Sequence, residues 1–297
     1  MKLSVYAATL RFIAGMAAIS LCACQSSSPI NSFASSLSNS SGASAAAAEK
    51  PARLILVGDS TMATRSGYGD ALCQTFTSSL TCLNLAKGGR SSGSYRAEGS
   101  WEQVQKLLKD NESFAQTYVL IQFGHNDQPG KPGRSTDLVT EFPVNMARYV
   151  DEVKATGATP VLVTPLTRRS FRDQVLQNDL RPWAEASIRI AQFRHIPWID
   201  LNAISYRAVQ AMGEAEADTL AVAPPDASTA ATAVAVGVTV ATSADRSKTE
   251  PAGAARSAFD RTHVGKKGAA VFSAMVVKEL LIVAPSLRAD LSSEVKP

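Results

Sequence analysis

Five short apolar runs, each ending at or near a glycine or polar turn, recur between residues 53 and 200. They are Arg53–Val57, Thr81–Leu85, Tyr118–Gln122, Thr159–Val163 and Pro197–Asp200. Between them lie stretches of helical character, at 70–79, 101–109, 140–156 and 182–194, and a last one spans 266–283. A strand that is apolar along its length, rather than at alternate positions, is covered on both faces. Such strands alternating with helices make a parallel sheet between two helical layers. The expected fold is therefore α/β: a three-layer α/β/α sandwich with a flavodoxin-like, doubly wound parallel sheet of about five strands.

The remaining segments have other characters. Lys2 and Arg11 precede the apolar stretch 12–21, which is short for a membrane span and ends in small residues. It reads as an export signal over 1–23. Leu21-Cys22-Ala23-Cys24 resembles a bacterial lipobox, which implies cleavage after Ala23 and a lipid on Cys24. Gln25 in place of Asp then implies the outer membrane, so the expected location is the bacterial cell envelope, held by a lipid anchor only. An ordinary signal peptide with an incidental cysteine pair is the alternative. Residues 24–50 are nearly all Ser, Ala, Asn and Gly and read as a flexible tether. The domain is expected over 51–285, with a low-complexity insertion of Ala, Thr, Pro and Val at about 211–258 and a loose tail at 286–297. Cys73 and Cys82 would remain after processing. In an oxidising compartment they can pair, or they can stay as buried thiols.

The net charge of +4 falls to +2 once Lys2 and Arg11 leave with the signal. No basic block with interleaved aromatics is present, so nucleic acid is not an expected partner.

In an open parallel sheet, ligands bind outside the carboxyl ends of the strands, and the chemically suggestive residues fall there. The first run ends in Gly58-Asp59-Ser60-Thr61, the second in Lys87-Gly88-Gly89-Arg90-Ser91-Ser92, and the third in Phe123-Gly124-His125-Asn126-Asp127. Taken singly, each reads as a cap or a turn. Late in the chain comes Asp260-Arg261-Thr262-His263. A serine hydroxyl needs an adjacent base to act as a nucleophile. His263 can be that base, and Asp260 can hold its ring. Of the two other histidines, His125 is the rival base near the crevice, with only Asp127 close in sequence. His195 falls at the opposite edge of the sheet and reads as structural.

Together these blocks resemble, in order, the SGNH (GDSL-like) hydrolase family, with its four naming residues on Ser60, Gly89, Asn126 and His263. The likeness covers about residues 54–283 apart from the insertion. It is closest to the rhamnogalacturonan acetylesterase branch, through Gly58–Ala63, Gly89–Ser92, Glu98-Gly99, Trp101, Phe123–Asp127 and the pair Arg168-Arg169.

The resemblance implies a serine esterase acting on O-acetyl groups of a polysaccharide such as pectin or xylan, with a Ser60–His263–Asp260 triad. It implies an oxyanion hole from the N–H groups of Ser60 and Gly89 and the side-chain amide of Asn126. Arg90, Arg168 and Arg169 are candidate substrate contacts, and a disulfide near Cys73 and Cys82 also occurs in the family. This chemistry calls for no metal or cofactor, and a monomer is expected. Gly-Asp-Ser in place of Gly-x-Ser-x-Gly argues against the α/β-hydrolase fold. A lipase or thioesterase of the same fold, acting on longer acyl chains, is one alternative. A non-catalytic carbohydrate-binding lipoprotein is another.

Overall fold

A computed structural model describes residues 50–223 and 259–294. The export signal, Cys24 and all of the tether except Lys50 lie outside the described residues, as do 224–258 of the insertion.

The sheet has five parallel strands: β1 (Ala52–Gly58), β2 (Leu80–Asn84), β3 (Gln116–Gln122), β4 (Thr159–Val163) and, beyond a short hairpin of β5 (Phe171–Arg172) and β6 (Val175–Leu176), β7 (Trp198–Ile199). Their spatial order is β2-β1-β3-β4-β7, the doubly wound order expected. β1 pairs with β3 over its whole length, from Ala52↔Gln116 to Gly58↔Gln122.

The pleat explains the uninterrupted apolar runs. Leu54, Leu56, Leu120, Val161 and Val163 project to one face, where they join Tyr68, Leu72, Phe272, Val276 and Leu280. Their neighbours Ile55, Val57, Val119, Ile121 and Leu162 project to the other and join Trp101, Val104, Tyr149, Val150 and Val153. Alternate residues of a strand thus serve two separate cores. The first is covered by α1 (Gly69–Cys73) and the long C-terminal helix. The second is covered by α3 (Ser100–Leu108), which follows the single turn α2 (Ser94–Ala97), and by α4 (Phe142–Lys154) and α5 (Arg181–Arg194).

Three expectations need correction. The chain does not leave the domain at 211. α6 (Leu201–Met212) is capped by the Asp200 side chain, which accepts from the Ala203 N–H, and α7 (Glu214–Asp218) follows. Leu220 and Ala221 are buried, and Ala221 bridges antiparallel to Val264. An alternation of Glu and Ala is a good helix former, so the low-complexity stretch begins beyond these residues.

Second, 286–294 is not loose. Pro285–Asp290 forms a 3₁₀ turn after α8 (Lys266–Val283), with Leu287 fully buried. Phe76 bridges to Leu291, and the N–H groups of Thr77 and Ser292 donate to Asp290 O (2.8 Å) and Thr75 O (2.9 Å). Third, the helix expected over 70–79 closes after Cys73. Cys73 and Cys82 are joined by a disulfide, with their Cα atoms 5.5 Å apart, which ties α1 to the edge strand β2.

Candidate active site

In the order β2-β1-β3, the chain leaves β1 to one side and returns on the other. A crevice therefore opens between the carboxyl ends of β1 and β3. Ser60 stands on the turn that ends β1. The capping work falls to its neighbour: Asp59 is fully buried, and its Oδ1 accepts from the N–H (2.9 Å) and hydroxyl (2.8 Å) of Thr61. The Asp59 carbonyl accepts from the N–H groups of Met62 (3.2 Å) and Ala63 (3.0 Å). Ser60 Oγ is thereby left for another partner.

That partner is His263, whose Nε2 lies 2.8 Å from Ser60 Oγ. Its Nδ1 lies 3.0 Å from Asp260 Oδ2, while Asp260 Oδ1 accepts from the backbone N–H groups of Thr262 (2.8 Å) and His263 (2.6 Å). Burial pushes the Asp260 carboxyl up. The bonds and charge of His263 and the two N–H groups outweigh this and hold it at about 2. Asp260 is thus an anion positioned to keep a proton on Nδ1 and leave Nε2 to accept one from the serine.

Several contacts fasten the loop bearing these residues to the domain, among them the bonds of the Arg169 N–H to Arg261 O (2.9 Å) and of the Gly265 N–H to Leu220 O (2.9 Å). Val264 N–H donates to Ser66 O (3.0 Å), and the Ser66 hydroxyl donates to Ser60 O (2.8 Å), so the serine and histidine loops are stitched together. Arg261 pairs with Glu214 (2.5 Å) and Asp218 (2.9 Å) of α7. Arg169 lies beneath the loop, fully buried, and its Nη2 donates to Asp260 O (2.9 Å) and His263 O (2.8 Å). The expectation that Arg169 meets substrate is corrected: its guanidinium faces inward and clamps the loop.

Arg168 is half-buried and pairs with Asp179. Arg90 is half-buried as well, with its Nε 2.7 Å from Glu98 and its Nη1 donating to Gly88 O (2.7 Å).

Gly89 and Asn126 come together at the ends of β2 and β3. Gly89 has φ +77, a left-handed conformation that a side chain disfavours. Asn126 Nδ2 donates to Arg90 O at 3.0 Å. Among the described residues, the N–H groups of Ser60 and Gly89 bond no protein acceptor.

His125 is not a second base for Ser60. It is buried, and its Nδ1 lies 3.2 Å from Asp59, a partner 66 residues away in sequence, not from Asp127. This pair joins the residue before Ser60 to the residue before Asn126. Asp127 turns the other way, accepting from Ser92 N–H (3.0 Å), Ser92 Oγ (2.6 Å) and Thr136 Oγ1 (3.0 Å). Burial pushes its carboxyl up to about 7 against these bonds. His195 ends α5 at φ +52 and lines a shallow depression with Lys154, Pro160 and Pro197, at the amino ends of β4 and β7.

The sequence matches the GDSL-like lipase/acylhydrolase family over residues 56–224, more than half of the chain. The chain belongs to this family. It is a carboxylic ester hydrolase, as the SGNH resemblance implies.

Among its relatives, rhamnogalacturonan acetylesterase RhgT of Bacillus subtilis is 32% identical over 180 residues, covering 58% of this chain and 74% of the relative. Two solved structures share the fold. A Bacillus subtilis protein, YxiM, superposes with a TM-score of 0.54 at 20% identity, covering 78% of this chain and 56% of its own. An acetyl-xylooligosaccharide esterase from Geobacillus superposes with a TM-score of 0.51 at 16% identity, covering 78% of this chain and 96% of its own.

Proposed function

We propose that this chain hydrolyses O-acetyl esters on a cell-wall or exported polysaccharide through an acyl-enzyme on Ser60. The observation that carries the reading is the unbroken chain Ser60 Oγ–His263 Nε2 (2.8 Å) and His263 Nδ1–Asp260 Oδ2 (3.0 Å). His263 takes the hydroxyl proton as Ser60 Oγ attacks the ester carbonyl, and Asp260 stabilises the imidazolium that forms. The oxyanion is met by the N–H groups of Ser60 and Gly89 and the amide of Asn126, drawn from the ends of three adjacent strands. Losing one such donor slows an enzyme roughly 10²–10³-fold. The sugar alkoxide leaves with the proton held by His263. Water, deprotonated by His263, then releases acetate and restores Ser60.

The acetyl-polysaccharide preference is supported by the relative that acts on rhamnogalacturonan. The fold is also shared with an acetyl-xylooligosaccharide esterase. Export and lipidation at Cys24, which would place the enzyme in the cell envelope, fit a polymeric substrate.

The reading is tested by acetate release from acetylated pectin, rhamnogalacturonan and xylan, with wild type and Ser60→Ala. Release from at least one polymer, abolished by Ser60→Ala with an unchanged circular dichroism spectrum, is expected. Faster hydrolysis of p-nitrophenyl octanoate than of the acetate would instead indicate a lipase or thioesterase.

A further inference from the structure

The loop after β3 carries a cation that the reaction above does not use. The loop is closed at its base, where Thr136 donates its N–H to Asp127 O (2.9 Å) and its hydroxyl to Asp127 Oδ1 (3.0 Å). Within it, Ser135 Oγ donates to Gln128 O (2.8 Å) and accepts from Lys131 N–H (2.8 Å). The N–H groups of Arg134 and Ser135 both donate to Lys131 O (3.0 and 2.9 Å). This self-bonded turn folds back over the ends of β2 and β3 and delivers one guanidinium there. Arg134 Nη1 lies 3.3 Å from Gly89 O and 3.4 Å from Asn126 Oδ1. The side chain is half-buried and pairs with no carboxylate among the described residues.

The chemistry of these contacts fixes the Asn126 amide. A guanidinium offers only donors, so the Asn126 atom facing Arg134 is the oxygen. A main-chain carbonyl only accepts, so the atom facing Arg90 O at 3.0 Å is the nitrogen. The two assignments agree, and a half-turn of the amide would break both. One Asn126 N–H is spent on Arg90 O, which leaves the other for a developing oxyanion. The same Nη1 holds the carbonyl of Gly89, and a Cβ at Gly89 would sit 3.4 Å from it.

We propose that Arg134 is a positioning residue for the oxyanion hole, bridging Gly89 and Asn126 so that both present N–H groups to the reacting carbonyl. This rests on the esterase reading above. The competing role for the same cation is to bind an acid group on the sugar.

A neutral substrate separates the two. Wild type and Ser60→Ala are first compared on p-nitrophenyl acetate. Undiminished activity in Ser60→Ala would remove the parent reading and this proposal with it, whatever Arg134 does.

With that activity secured, Arg134→Ala is expected to lower kcat on p-nitrophenyl acetate by about 10- to 100-fold, less than outright loss of a donor, with KM changed by less than about threefold. Arg134→Lys is expected to recover part of the loss. In an Asn126→Ala background, Arg134→Ala is expected to cost at least about threefold less than it does in wild type, because the part of its effect that passes through Asn126 is already lost while the part that passes through Gly89 remains. Thermal unfolding confirms that each variant is folded. Arg134→Gln, uncharged and similar in length, takes the place of the alanine variant in the cycle if that one is not.

Two results would overturn the proposal. One is an unchanged kcat on p-nitrophenyl acetate, with the effect confined to KM for acetylated uronides. The other is full multiplicativity of the Arg134 and Asn126 effects.

Discussion

Arg169→Met is a perturbation whose effects on stability and rate are expected to diverge. Arg169 gives two charge-assisted bonds to the carbonyls of Asp260 and His263, at 2.9 and 2.8 Å, each worth about 1.5–3 kcal/mol. Against this, the guanidinium is wholly buried, and its Nε and Nη1 find no partner. Burial pushes its pKa down to about 10 even with Asp260 and Asp218 nearby. Methionine removes the bonds and the buried charge together, so the net loss of stability should be only about 1–3 kcal/mol. For a domain of this size that is a fall in Tm of about 3–10 °C.

The rate should suffer more. Without the clamp, the loop keeps its bonds to Ser66, to Leu220 and to the Arg169 N–H, and the ion pairs of Arg261. The carbonyls of Asp260 and His263 nevertheless lose their support from below, and a misplacement of about 1 Å costs roughly 100-fold. Initial rates on p-nitrophenyl acetate should therefore show kcat down about 100-fold with KM within about threefold, while circular dichroism shows a folded protein. A kcat within twofold of wild type, alongside a lowered Tm, would refute the idea that Arg169 positions the histidine.

Two further outcomes follow from the geometry. Asp260 sits at about 2 in the fold against an ordinary 3.8, so its contribution, at most about 2 kcal/mol, is present above pH 4 and is lost as pH falls through 2. Urea unfolding of wild type and Asp260→Asn should differ most above pH 4 and converge near pH 2; a difference that grows on acidification would contradict the assignment. Replacing Cys73 and Cys82 together by serine opens the loop closed by a bridge between residues nine apart. This should cost about 2–3 kcal/mol in stability, seen as a lower Tm that matches that of reduced wild type.

The sheet was legible because each strand serves two cores, which leaves a continuous apolar run that no amphipathic element imitates. The contact between His263 and Asp260 was legible because Asp-x-x-His keeps the two close in sequence, whereas Ser60 lies 203 residues from His263 and was joined to it only through the family resemblance.

What sequence reading missed depends on contacts between distant segments. Arg169 reads as a candidate substrate contact, yet the acceptors of its side chain lie 91 and 94 residues away. His125 reads as a rival base because Asp59, its carboxylate, is 66 residues distant. Arg134 sits in a polar loop, and only the return of that loop over Gly89 gives it a task. Local signals did exist for two other features. Asp59 two residues before Thr61 is the pattern of an Asx turn, and Asp200 before Leu201–Met212 is an N-cap. The composition of 211–223 obscured its helix, because Ala-rich segments read alike whether they pack or not.

The central claim is that Ser60 is the nucleophile, and covalent trapping tests it most directly. The enzyme is treated with a fluorophosphonate until p-nitrophenyl acetate hydrolysis stops, then digested and mapped by mass spectrometry. One phosphonyl group on the peptide containing Ser60, absent from His263→Ala treated in the same way, is the predicted result. Complete inactivation with the label on any other residue, or continued hydrolysis with Ser60 fully labelled, would contradict it.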